Sequence, residues 1–149
     1  ELGFNYRLSD MQAALGISQL KKLNRFIKRR TQIAQKYQKA FAGNPYFDIP
    51  VSLDDETVKS GWHLYPIRLK DKARRRNIFD WLRQEGIGVQ VHYIPVYWQP
   101  YYQRLGFSKG LCPKAEDFYE REISLPMFPA MSAADVKRVI KIVLESFKR

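Results

Sequence analysis

The pattern of apolar and polar positions along the chain predicts four helices and four extended segments. Ser9-Asp10-Met11-Gln12 has the form of a capping box, in which the Ser hydroxyl takes an unpaired helix N–H and Gln12 reaches back to the cap. From there Ile17, Leu20, Leu23, Ile27, Ala34, Tyr37 and Phe41 recur at helical spacing, with Lys and Arg on the opposite face. The spacing predicts one long helix over about 9–42, stopped by Gly43-Asn44-Pro45. Its first turns, Ala13 to Ser18, are small and almost uncharged, the kind of surface against which another backbone packs closely. Phe47–Val51 reads as a short strand and Leu53–Gly61 as a polar loop. Trp62–Leu69 alternates and is rich in aromatic and branched residues, a second strand in which Pro66 points to an edge or a bulge. Ala73–Glu85 is a helix with Gly86 as its stop, and Ile87–Tyr93 shows the clearest strand alternation of all. Ile94–Gly110 reads as a structured loop with one helical turn at 100–105. Pro113–Glu122 is a short helix, Ile123–Pro129 is extended, and a last amphipathic helix starts at Ser132 with Asp135 completing its cap.

This order predicts an α+β fold, a small sheet covered on one face by helices. At 149 residues the chain has room for one domain, 1–149, divided into a long linking helix (about 9–42) and a sheet-and-helix part (about 45–149). There is no repeat and no low-complexity segment.

Composition changes the picture in two places. Lys+Arg 26 against Asp+Glu 15 gives a net charge of +11, which favours phosphates, nucleic acid or acidic membranes. The basic residues are spread over 21–30, 68–76 and 137–149 without forming a stripe, and that favours solvated helix faces. The single cysteine, Cys112, excludes an internal disulfide. No apolar run approaches the roughly 18 residues that span a bilayer, so the expected home is the cytoplasm, with no membrane partner. The first residue is Glu1, with a capped helix following almost at once, so the chain reads as a fragment.

Candidate chemistry is sparse. No phosphate-binding glycine loop, CxxC or HExxH spacing occurs, so no metal site and no catalytic residue are assigned, although a Ser-His-Asp grouping is not excluded by composition. Two segments stand apart. Asn5-Tyr6-Arg7 offers an amide, a phenol and a guanidinium, groups suited to phosphate or carboxylate oxygens, or else a plain helix lead-in. Gln90 to Tyr102 brings His92, Tyr93, Tyr97, Trp98, Tyr101 and Tyr102 into a proline-containing loop. Such a run is either a wall of rings for bases and sugars or core filler with locally satisfied hydroxyls. A nucleic-acid module is disfavoured, because residues 91–102 carry no Lys or Arg between the rings.

These segments, with Gly86–Pro95, Cys112-Pro113-x-Ala115-Glu116 and Leu125-Pro126-Met127-Phe128-Pro129, resemble the DegT/DnrJ/StrS sugar-nucleotide aminotransferases, in the family's order through nearly the whole chain. Among these the branch making 4-amino-4,6-dideoxy sugars on UDP-N-acetylhexosamine is the most similar. The resemblance implies the small C-terminal domain of a fold-type I, pyridoxal-phosphate-dependent homodimer. It implies transfer of an amino group from glutamate to a nucleotide-linked 4-keto-6-deoxy sugar. The family's Schiff-base lysine lies upstream of the Asn-Tyr-Arg block, so the chain alone is expected to be inactive. By the same resemblance, Asn5 meets the cofactor phosphate in the neighbouring subunit's site. Tyr6, Arg7, His92, Tyr93 and Tyr97 face the substrate. Tyr97 stands where many members carry a second His, which puts any proton-transfer role there in doubt. A non-catalytic relative with the same fold is the alternative.

Overall fold

A computed structural model describes residues 6–51 and 58–148. Helix α1 (Asp10–Leu20) opens on the expected capping box: Ser9 Oγ accepts from Gln12 N–H and the Gln12 side chain accepts from Ser9 N–H. The expected single helix is in fact two. At Lys22 the backbone N–H bonds three residues back to Gln19, a tighter 3-10 turn, before α2 (Leu23–Phe41) resumes. No glycine or proline marks this break, and the apolar spacing runs straight through it. The two helices then behave differently. α1 buries none of its residues, whereas α2 sends Ile33, Ala34, Tyr37 and Phe41 into the core.

The sheet has three antiparallel strands in the order β1 (Phe47–Asp48), β2 (Tyr65–Leu69), β3 (Glu122–Leu125). Register pairs Phe47 with Leu69, Ile67 with Ile123 and Tyr65 with Leu125. These residues face α2, α3 (Arg75–Gln84) and α6 (Ala133–Glu145) across one core, to which α3 adds Ile78 and Leu82 and α6 adds Val136, Val139 and Val143. Edge-to-face rings tie it together: Tyr37 to Tyr65 at 5.0 Å and Phe41 to Phe47 at 5.4 Å.

Pro66 lies in the central strand, not at an edge or bulge. Its partner Ser124 exchanges both backbone bonds with Gln90 on the far side of β3. Pro66 and Ser124 are therefore a non-hydrogen-bonded pair, and the missing N–H of Pro66 points to the side that the two-residue β1 does not reach. α5 (Pro113–Arg121) packs on β2 and runs directly into β3, whose four residues are all buried. The sheet is thus covered on its second face too at that end, where one covered face was expected.

The segment 87–93 is the largest departure from the expected elements. α3 ends at Gly86 (φ 75°) with Gly86 N–H to Arg83 and Ile87 N–H to Leu82, the paired bonds of a Schellman stop. Val89 then bonds back to Ile87, so the backbone curls, and only Gln90 meets the sheet, through a single bridge to Ser124. After Gln90 the chain leaves the sheet for a 3-10 turn (Val96–Trp98) and α4 (Pro100–Arg104).

Candidate functional site

His92 sits where the chain leaves the sheet. Its N–H donates to Glu122 Oε2 at 2.9 Å, its ring is half-buried, and its Nδ1 is buried with no hydrogen-bond partner among the described residues. Tyr93 packs edge-on against it at 4.6 Å and is itself exposed. His92 lines a cleft of about 470 Å³ together with His63, Gln90, Met127, Met131 and Arg138. A second cleft of about 900 Å³, walled by Leu23, Phe26, Ile27, Phe128 and Pro129, shares His63 with it. The two histidines of the sequence therefore meet at one surface, a convergence that strand alternation alone did not show.

The peptide around this surface is held by arginines. Arg30 Nη1 donates to Trp62 O at 3.0 Å, His63 O at 2.9 Å and Met127 O at 2.9 Å. Arg29 reaches Met131 O, and Arg83 reaches Val89 O. One guanidinium thus ties α2 to both walls of the clefts, and it holds the carbonyl of Trp62, a bulky residue at φ 44°. Nothing in the local sequence marks Arg30 for this; its partners lie 32 to 97 positions away.

Glu122 is the other residue the sequence did not mark. It is fully buried on β3, with Oε1 accepting from Ser124 Oγ and Oε2 from His92 N–H. Burial pushes its carboxyl pKa above the usual range, against the opposing pull of those two bonds.

Tyr97 has a different office from His92. Its hydroxyl donates to Glu116 Oε1 at 2.5 Å and accepts from Cys112 N–H at 3.2 Å, while Glu116 also takes Gly110 N–H at 2.6 Å. Desolvation, then the bond to Glu116, pushes the Tyr97 phenol up. The same bond is the first cause holding Glu116 down. The hydroxyl is thereby committed to closing the 97–116 loop. The rings beyond it do meet cations, though from later in the chain: Lys109 Nζ lies 4.3 Å from the Trp98 ring centre and Arg104 lies 6.0 Å from Tyr101. Tyr6 and Arg7 precede α1 and are exposed; Asn5 lies outside the described residues.

Covalent attachment of pyridoxal phosphate takes a lysine amine. Neither cleft is lined by a lysine among the described residues, so neither offers the amine for covalent attachment. No group of three or more His, Cys, Asp or Glu side chains able to hold a metal occurs among the described residues. No described helix is long and apolar enough to cross a membrane.

Known proteins similar to this chain agree with one another. The family model described as the DegT/DnrJ/EryC1/StrS aminotransferase family matches residues 1–144. A UDP-4-amino-4,6-dideoxy-N-acetyl-beta-L-altrosamine transaminase of Campylobacter jejuni is 42% identical, over 100% of this chain and 40% of its own length. The spore coat polysaccharide biosynthesis protein SpsC of Bacillus subtilis is 40% identical, over 98% of this chain and 38% of its own. Among solved structures, Helicobacter pylori PseC, an aminotransferase of pseudoaminic acid biosynthesis, superposes with a TM-score of 0.87 at 38% identity, covering 99% of this chain and 40% of that one. DesV of S. venezuelae gives a TM-score of 0.88 at 34% identity, covering 99% and 38%. The chain spans about 40% of the length of the curated relatives it matches.

Proposed function

The chain belongs to the DegT/DnrJ/EryC1/StrS aminotransferase family, whose members depend on pyridoxal phosphate, and from that premise we propose that it is the substrate-holding C-terminal part of a sugar-nucleotide aminotransferase. The observation that carries this is continuous similarity over nearly the whole chain to sugar aminotransferases of which it covers only about 40%. The proposed reaction moves an amino group from glutamate to a nucleotide-linked 4-keto-6-deoxy sugar for surface polysaccharide synthesis, in a cytoplasmic homodimer. Pyridoxal phosphate, when bound, supplies the electron sink for that transfer.

This chain's own residues bind and orient. Arg7, exposed ahead of α1, is free of the folded core and suited to a diphosphate or carboxylate through its forked donors, with Tyr6 beside it. Asn5 is proposed to donate to the cofactor phosphate in the neighbouring subunit's site. His92 and Tyr93 form an edge-packed ring pair beside the first cleft, an amphipathic surface of the kind that takes a sugar. Tyr97 contributes by pinning the loop that carries Trp98 and Tyr101.

Incubation of the 149-residue chain with pyridoxal phosphate, borohydride reduction and peptide mass mapping tests the division of labour. The expected result is scattered, substoichiometric labelling of exposed lysines. A stoichiometric adduct on one lysine would place the covalent chemistry inside this chain and overturn the reading.

A further inference from the structure

Gln90 and Ser124 exchange backbone bonds of 3.2 and 2.8 Å across the outer edge of β3. If this antiparallel ladder continued, the next hydrogen-bonded pair would be His92 with Glu122, two residues on in each direction, backbone to backbone. That pair is present but altered. His92 N–H bonds to the Glu122 side chain, Oε2 at 2.9 Å. The carboxyl takes the position of a backbone acceptor and is longer by the reach of its side chain, so residues 91–93 are held off the strand instead of joining it. Its second oxygen is fixed by Ser124 Oγ, and the whole residue is buried. A buried carboxyl with both oxygens engaged, on a strand otherwise built of Ile, Ser and Leu, has no role in core packing that an apolar residue would not fill with less desolvation.

We propose that Glu122 is the positioning residue for His92: it ends the strand at Gln90 and sets the imidazole, with Tyr93 packed on it, beside the cleft. The value of that placement rests on the reading that His92 faces substrate, but the placement is measurable without it. Burial raises the Glu122 pKa, while the neighbouring titratable side chains that act on it, His92 and Arg75, pull the other way. Gln at this position keeps a carbonyl oxygen for His92 N–H and an amide for Ser124 Oγ, so it should substitute; Ala should not.

The experiment is NMR on the isotopically labelled chain, comparing wild type with Glu122→Gln and Glu122→Ala. The expected result is that His92 N–H exchanges at least about tenfold faster in the Ala variant. The His92 and Tyr93 ring signals should shift there too, while Ile67 and Ile123 amides stay protected and the Gln variant resembles wild type. Unchanged His92 exchange and ring signals in the Ala variant would overturn the proposal, as would equal loss of protection at Ile67 and Ile123. Should the Ala variant not fold, the pH dependence of the His92 amide shift decides. It should follow the Glu122 carboxyl in wild type and lose that step in Glu122→Gln; the same step persisting in the Gln variant would overturn the proposal. The functional reading is decided separately, by kcat/KM of His92→Ala in the proposed full-length enzyme, while the exchange result alone decides the role of Glu122.

Discussion

Arg30 and Glu122 carry the surface around His92, and neither is conspicuous in the sequence. Arg30→Ala removes three bonds from one guanidinium nitrogen to carbonyls of two separate segments. A hydrogen bond to a charged group contributes about 1.5–3 kcal/mol, and a loss of that size is expected in urea unfolding. Arg30→Lys should restore little of it, because an ammonium lacks the planar fork. Unchanged stability in Arg30→Ala would remove the clamp from this account. Glu122 makes a pH-dependent prediction. Its folded-state pKa is raised, so the unfolded chain ionises first as pH climbs above the ordinary value of 4.5. Wild type should therefore lose stability relative to Glu122→Gln as pH rises above that value, measurable as a difference in urea midpoints taken below and above it. A difference that stays flat, or grows in favour of wild type, would show that the carboxyl is not held protonated by burial. Arg30 and Glu122 were illegible for the same reason: the carbonyls that Arg30 holds and the His92 N–H that Glu122 holds are long-range partners, and single residues of these types usually face solvent. Asn5, Tyr6, Arg7, His92, Tyr93 and Tyr97 came to notice through chemistry concentrated in short segments. The structure brings His92 and Tyr93 together at a cleft and commits the Tyr97 hydroxyl to Glu116.

Elements whose cause is local were legible. Ser132 with Asp135 and Ser9 with Gln12 form the two capping boxes as read, and Gly86 stops α3. The boxes should nevertheless differ in weight. α6 delivers Val136, Val139 and Val143 to the core, so Ser132→Ala should cost about 1 kcal/mol of global stability. α1 buries nothing, so Ser9→Ala should reduce helicity near residues 10–20 while leaving the urea midpoint of the core unchanged. Equal losses from both would mean that α1 folds as part of the core. The segment 87–93 defeated the reading because alternation reports which faces differ and not whether a partner strand is present. Val89 is buried and Gln90 exposed as alternation requires, yet the Schellman stop curls the entry and the Glu122 side chain occupies the exit. The break between α1 and α2 was invisible for a related reason, since a single 3-10 bond at Lys22 disturbs no spacing.

On the scale of the molecule, the excess of positive charge is partly consumed inside the fold. Arg29, Arg30, Arg83, Arg121 and Arg138 all donate to main-chain carbonyls, tying helices to loops. The net +11 is therefore no direct measure of an anion-binding surface. Apolar side chains on α1 (Met11, Leu15, Ile17, Leu20) stand exposed, the arrangement expected if the proposed cofactor-binding part of the enzyme covers them. The central claim is that the surface around His92 serves substrate and not merely the fold. Its most direct test is His92→Ala in the proposed full-length aminotransferase, with kcat/KM for the proposed nucleotide-sugar substrate and thermal melting measured on the same preparation. The account predicts a fall in kcat/KM of at least about tenfold, or ~1.4 kcal/mol, with little change in melting temperature. Normal kcat/KM per folded molecule together with a sharply lowered melting temperature would contradict it and make His92 a residue of the fold alone.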